Sequence, residues 1–532
     1  MIDTISVEVL ASTGVALRLN HTAEIESVEL AGQSVDYSFG GGLLWVDVQD
    51  DAELVIRYQI DVARDSTFGV NSGRFGRHAG HVRNQYFWHP FIWFSDSADF
   101  RLSVRAPREV YIATDLPQTE RVLGEQRVVL AQSDEATAAL SLFYDDEWEP
   151  VRRRIGSYAF AVYATPEFSP HPDTLAAVFD RVSTLLSERF GTPRGRSLAV
   201  VQQRAREGTG WPFMSNRVIA ANANGGSPSV ASPIPRAFFG HEVAHGWTRP
   251  TGPARNFLGE GWATFAEALV LGDTYGADVE IAFWESQRNR YFIRGFDGVK
   301  SLATDASNSG VSYHKGAWVF RVLEAEIGRD AFDQGLRTYA SNPRGNGSGY
   351  EGFLTAMSEA AGRDLSSFLL PWYEGSVVPE LRSRIEGRTL VVEQVQSGPV
   401  FDLNVEVDLV SDAGTVRVVA SLKGRMTTVP FPDDVGLSPR PILDPESRLL
   451  FRRTLGDRVR FTHDAGAGAD VKLQGDFSSS ALASQYDGEA WFVELPIAAG
   501  RYVYRWVVDG ERQPYQVLRV APFRELSEAY PR

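Results

Sequence analysis

"FFGHEVAHGWTRP", residues 238–250, sets two histidines four positions apart around a glutamate, in a 532-residue chain that has only nine histidines. At 3.6 residues per turn, positions 241 and 245 are about 400° apart, one turn along a helix and roughly 40° around it. Both imidazoles then reach a single ion. Glu242 lies about 60° from His245, beside that ion, where it can take a proton from water. The flanking Phe238, Phe239, Val243, Ala244 and Trp247 make the helix largely apolar. It is therefore expected to be buried, and buried charged groups need partners. The competing picture, a solvated face that happens to carry His, Glu and His, fits this apolar setting poorly.

Two imidazoles do not complete a catalytic zinc site, which takes a third protein ligand and leaves one position open. The chain has no cysteine, so that ligand must be another His or a carboxylate. After the intervening residues 246–259, Glu260 stands in "NFLGEGWATFAEAL", which reads as a second helix. Glu267 follows about 700° later, on nearly the same face. The spacing makes Glu260 the candidate third ligand. Glu267 is then placed as an outer acceptor for the free N–H of a ligating histidine.

Three separated stretches resemble the zinc aminopeptidases related to aminopeptidase N, within the gluzincins. "HEVAHGW" (241–247) matches the His ligands, the Glu base and a following Trp. "GEGWATFAE" (259–267) is similar to the family segment that supplies the third ligand and maps it to Glu260. "SYHKGAWVF" (312–320) looks like the family's Tyr-x-Lys-Gly-Ala stretch and maps the tyrosine that stabilises the transition state to Tyr313. "GRDLSSFLLPWYEGSVVPEL" (362–381) matches how the family's catalytic domain ends, so the resemblance spans about 85–455. It implies one Zn2+ ion, a thermolysin-like catalytic domain and a peptide substrate. The chemistry of Tyr313 also stands alone, because a phenol donor suits an oxygen that gains negative charge under attack.

Two departures bear on this expectation. The family's spacer of eighteen residues between the second His and the Glu ligand is shortened here to the fourteen residues 246–259. Ligation survives if the two helices still meet, since the loop supplies no ligand. The second departure concerns the family's Gly-x-Met-Glu-Asn segment, whose Glu binds the substrate's α-amino group. The nearest text is "GWPFMSNRVIAA" (210–221), in which Met214 and Asn216 align and Ser215 replaces the Glu. A neutral hydroxyl cannot pair with an ammonium as a carboxylate does. Cleavage of internal bonds or of N-terminally blocked peptides thus stands beside aminopeptidase action, with backbone near "NANGG" (222–226) available to pair with an extended substrate. A third possibility is a scaffold that keeps the zinc site without turnover. A structural site, however, is normally closed by four protein ligands and needs no base.

Outward from the motif, the text divides into segments. Residues 1–150 alternate apolar and polar in short runs such as "AELVIRYQIDV", the signature of antiparallel β structure. Residues 151–380 change to a helical period and several helices stop at Gly, as in "FRVLEAEIG". Alternation returns in 381–455 and in a last β unit, 456–532. The expectation is a multidomain α+β chain: an N-terminal antiparallel β domain, a mainly helical thermolysin-like domain and two β-sandwiches. The net charge of −15, from 68 acidic and 53 basic side chains, argues against nucleic acid and anionic membranes as partners. Without an apolar run long enough to span a bilayer or a recognisable leader, the expected compartment is the cytoplasm, or outside the cell if a leader has been removed. Oligomeric state is not encoded legibly.

Two further stretches carry weaker signals. "FGRHAGHVRNQYFWHPFIWF" (75–94) concentrates aromatics with His78, His81 and His89. It reads as β-domain core before it reads as a cleft lining or a second metal site, and Arg83 and Lys315 read as surface cations before they read as oxyanion helpers. The last unit, with "VKLQGDFSSS" and "WFVELPIAAGRYVYRWVVDGE", resembles the early-set sandwich of glycogen-binding modules. Those modules hold glucans on tryptophans, where this chain has Ser478, Ser479 and Ser480, and Glu511 with Arg512. Carbohydrate binding is therefore not expected.

Overall fold

In a computed structural model of the 532-residue chain, the described residues are 2–7, 14–60, 73–92, 98–134, 136–137, 140–168, 171–193, 195, 197–203, 213–215, 218–221, 233–305, 310–342 and 347–526. They form a multidomain α+β protein whose contacts separate it into two compact units. One unit is 1–180 with 194–227, and the other is 181–193 with 228–532.

The first unit begins as antiparallel sheets. Ala52–Ile60 lies between Ile2–Val7 and Ala23–Leu30, and Leu43–Val46 lies between Val15–Arg18 and Tyr37–Gly40. Their inward residues, among them Leu17, Val28, Leu44, Val46, Leu54 and Ile56, make one core, as period-two alternation demands. A second core gathers Val82, Tyr86, Trp88, Leu116 and Leu140. Most of the described aromatic stretch after Phe75 ends here. His89 is buried, its Nε2 3.2 Å from Asn84 Oδ1, and burial brings its pKa down to about 4. His81 stacks on Phe143, while the exposed His78 pairs with Asp146.

The chain between 151 and 221 departs from the helical reading. It forms a five-stranded mixed sheet in which Tyr158–Tyr163, Ser197–Gln202 and Val218–Ala221 run parallel. Parallel neighbours need a long crossover. Helix α1 (Pro172–Phe190) supplies it, with Pro172 at its start and Asp173 in its first turn.

The second unit carries the remaining helices: α2 (Phe238–Ala244), α3 (Trp262–Tyr275), α4 (Ala277–Ile293), α5 (Gly316–Ile327), α6 (Arg329–Ser341), α7 (Tyr350–Ala361) and α8 (Ser366–Tyr373). α5 and α7 stop at Gly328 (φ 82°) and Gly362 (φ 64°), positions that suit a residue without Cβ. Trp262, Trp284, Trp318, Phe265, Phe320 and Phe332 are fully buried among these helices. Two β regions follow, one over 380–453 and one over 455–520. The last has its own core of Phe461, Leu473, Ile497 and Trp506.

Candidate metal centre

Helix α2 is short, and every residue from Phe239 to Ala244 is buried. It can lie close to α3 because Gly240 has no side chain: a Cβ there would stand 3.0 Å from Val270 Cγ2. The Ala244 carbonyl at the end of α2 is reached from across the junction, the indole of Trp262 donating to it at 2.8 Å. His245 caps the helix in right-handed backbone (φ −58°, ψ −17°), so the one-turn relation to His241 is kept.

Glu260 is not on a regular α-helix. It sits in a π-turn, Phe257–Gly261, that leads into α3. Tyr313 sits in a second π-turn, Val311–Lys315, that leads into α5. Such single π-turns inside helices occur often at functional sites. The two turns touch through glycines: a Cβ on Gly261 would lie 2.8 Å from the Gly316 carbonyl carbon, and one on Gly316 would lie 3.2 Å from Gly261 Cα. This close approach fixes the distance between Glu260 and Tyr313. Buried Asp305 accepts the Ser312 hydroxyl (2.6 Å) and amide (3.2 Å), and Lys315, fully buried rather than at the surface as its sequence setting suggested, donates to the Gly375 carbonyl (2.6 Å). Tyr313 is thereby held from both sides.

His241, His245 and Glu260 converge, each offering one ligand atom within 4.8 Å of the others. Among the described residues this is the one group of three or more such side chains. His241 Nε2 and His245 Nε2 lie 3.3 and 3.6 Å from Glu260 Oε2. Tetrahedral N/O ligands about 2.0–2.1 Å from a zinc ion stand roughly 3.3–3.4 Å apart, so the donor set and its spacing fit. A plain ion-pair cluster has similar distances, and what favours a metal is the presence of two imidazoles with one carboxylate. Burial brings His245 down to about 4, against the pull of Glu260, so its lone pair is available. Burial would raise the Glu260 carboxyl, yet His245, His241 and a hydrogen bond from Tyr313 bring it down to about 2. His241 is held above its usual value, burial being outweighed by Glu260, Glu242 and Glu267.

Glu242 is buried next to the ligands, and the Tyr313 ring stacks on that of His241 at 5.9 Å. Glu267 departs from expectation. Its carboxylate is 3.9 Å from His241 Nδ1, beyond hydrogen-bond reach, and it receives instead Arg236 Nε (2.8 Å) and the Ala237 amide (2.7 Å). It thus anchors the start of α2 and acts on His241 by charge. Sequence reasoning did not single out Arg236, Asp305, Gly261 or Gly316, although the two glycines lie inside the motifs it quoted. Met214 and Ser215 are on the edge strand Phe213–Ser215 of the first unit, paired with Val218–Ala221. Asn216 and residues 222–226 lie outside the described residues.

Residues 198–372 match the family model described as the peptidase family M1 domain. The chain is 31% identical over 157 residues to aminopeptidase N of Caulobacter vibrioides, covering 27% of this chain and 18% of that one. It is 20% identical to probable aminopeptidase 2 of Sulfurisphaera tokodaii (70% and 51% covered) and 21% identical to probable aminopeptidase 1 of Saccharolobus solfataricus (90% and 64%). In each case it spans less than two thirds of the relative's length. A solved structure of Legionella pneumophila aminopeptidase A in complex with aspartic acid has the same fold, with a TM-score of 0.68 at 14% identity over 85% of this chain and 57% of that one. The match thus assigns a peptidase family M1 domain to residues 198–372, and the structural likeness shows the fold.

Proposed function

We propose that the chain hydrolyses peptide bonds as a zinc-dependent, aminopeptidase-like enzyme, with His241, His245 and Glu260 holding one Zn2+. The observation that carries this reading is the convergence of those three side chains within 4.8 Å, with Glu242 and Tyr313 beside them. Zinc, when bound, supplies Lewis-acid polarisation of the carbonyl and acidifies the attacking water. Glu242 is the general base: it takes the water's proton and passes it to the leaving amine. Tyr313 donates to the oxygen that becomes negative, while its contact with Glu260 and its stacking on His241 hold the phenol in place. The aminopeptidase names of the relatives support peptides as substrates.

A second reading keeps this machinery but acts on internal or N-terminally blocked bonds, because Ser215 stands where the family carries an amine-binding acid. Among the described residues no helix is long and apolar enough to cross a membrane, and the acidic balance supports neither nucleic acid nor anionic membrane as partner. The glucan platforms are occupied by Ser479, Ser480, Glu511 and Arg512, all exposed, which supports no carbohydrate role. The test is a peptide library in N-terminally free and acetylated forms, read by mass spectrometry with zinc-loaded protein. Single residues released only from free peptides mark an aminopeptidase, and internal or acetylated cleavage marks the second reading. No cleavage of either form rejects both.

A further inference from the structure

Among the described residues, the buried His241 Nδ1 has no hydrogen-bond partner. The other side of the ring is committed, with Nε2 facing Glu260 at 3.3 Å. An imidazole that offers Nε2 to an ion carries its proton on Nδ1, and that nitrogen then needs an acceptor. The carboxylate before it is Glu267, whose Oε2 is 3.9 Å away and whose side chain is wholly withdrawn from water. This is about 1 Å longer than a usual N–H···O contact of roughly 2.9–3.0 Å.

The two oxygens of Glu267 are held unequally. Oε1 takes two short bonds, from Arg236 Nε at 2.8 Å and from the Ala237 amide at 2.7 Å. Oε2 takes one long contact, from Arg236 Nη2 at 3.3 Å. The carboxylate is thus pinned at one oxygen, and the other is left to meet His241. Arg236 has its own anchor, its guanidinium lying 3.8 Å over the ring of Phe238 in the first turn of α2. Ala237 links this pair to the histidine, because its amide donates to Glu267 while its carbonyl accepts the His241 amide at 3.0 Å. Arg236, Glu267 and the backbone beneath His241 therefore form one connected unit. A carboxylate buried this completely is costly without a cation, and Arg236 supplies one.

We propose that Arg236 is a positioning residue for the metal centre, holding Glu267 so that its second oxygen receives the His241 Nδ1 proton and fixes that imidazole for ligation. The proposal rests on the zinc reading above and deepens it, since Arg236 acts through Glu267 rather than on the ion. A guanidinium suits the task because its planar fork sets the plane of the carboxylate as well as its charge.

The experiment measures the zinc Kd of the full-length protein by competition with a chromophoric chelator. The proteins are the wild type, Arg236→Gln, Arg236→Lys, Glu267→Gln and the double variant Arg236→Gln/Glu267→Gln, with melting of each metal-free protein as the control on folding. Arg236→Gln is expected to raise Kd by about 10- to 100-fold, the usual loss when a group behind a metal ligand is removed. Arg236→Lys keeps the charge but not the fork, so it restores only part of that loss. In the Glu267→Gln background the same Arg236→Gln change adds little, because its path to His241 is already cut. A second readout is the His241 Nδ1 proton in zinc-loaded protein labelled with 15N-histidine. Its NMR signal lies downfield, as for a proton shared with a carboxylate, and moves upfield in Arg236→Gln. A wild-type Kd in Arg236→Gln, or an unmoved proton, overturns the proposal. So does an equal loss of affinity in the Glu267→Gln background, which marks Arg236 as packing alone. If Arg236→Gln does not fold, Arg236→Lys decides: a raised Kd with a shifted proton upholds the proposal, and wild-type values overturn it. A wild type that holds no zinc rejects the zinc reading and the proposal together, whereas tight wild-type binding indifferent to Arg236 rejects the proposal alone.

Discussion

Two buried clusters of charge in the second unit are built from similar materials and end in opposite states. Around Glu285, Arg453 closes a bidentate pair (2.7 and 3.0 Å), Arg288 adds a third contact, Ser447 donates at 2.7 Å, and Arg288 continues to Asp444 and the Leu449 carbonyl. Burial would raise the Glu285 carboxyl, but the two arginines bring it down to about 2. The cluster is closed by the protein itself. Around Glu260, the facing groups are two imidazoles and a phenol. Imidazoles are weak permanent cations, so they leave lone pairs to offer and a place for an ion to occupy. The first cluster ties α4 to the β region that follows; the second is the one the proposed chemistry uses.

If the contrast is real, the two clusters fail differently. The largest effect is expected from His241→Ala, which should abolish both zinc retention, measured by atomic spectroscopy, and peptide turnover, with little loss of melting temperature in the metal-free protein. Glu242→Gln should keep one zinc per chain and lower kcat by about 10²–10⁴-fold. An active, zinc-loaded Glu242→Gln protein would remove Glu242 from its role. In the closed cluster, Glu285→Ala takes the acid partner from Arg453 and one of the two acids from Arg288, and should cost about 3–5 kcal/mol in denaturant unfolding, with zinc affinity unchanged. Tyr313→Phe should lower kcat by roughly 10²–10³-fold with KM and zinc content near wild type. The smallest effect belongs to the glycine contact. Gly261→Ala drives a methyl against Gly316 backbone and should cost about 1–3 kcal/mol, with weaker zinc binding because the turn that carries Glu260 must shift. A Gly261→Ala protein with normal zinc affinity would show that the π-turns do not set the site.

The site's skeleton was legible because its spacing rules are local. A glutamate between histidines at i and i+4 specifies one helix face, and Glu260 follows close behind on an apolar run. The alternating runs at both ends likewise announced their sheets. What stayed hidden depends on contacts between distant segments. The parallel sheet at 151–221 consists of runs such as "SLAVVQ", too short to declare themselves beside the long α1 pattern. The π-turns have no period of their own, and their cause, Gly261 against Gly316, joins positions 55 apart in sequence (316 − 261). Glu267 was placed on the right helix, yet Arg236 reaches it first, a competition no single-helix projection contains. The pairing of Arg189 with Asp333 and Glu324 is invisible for the same reason.

The most direct measurement is a titration of metal-free protein with zinc, following hydrolysis of free and acetylated peptides against the metal bound per chain. Turnover that is absent without metal and rises in proportion to a single equivalent, with Glu242→Gln binding the same equivalent silently, is the predicted result. Undiminished turnover in metal-free protein, or none at one equivalent with every peptide offered, would contradict it.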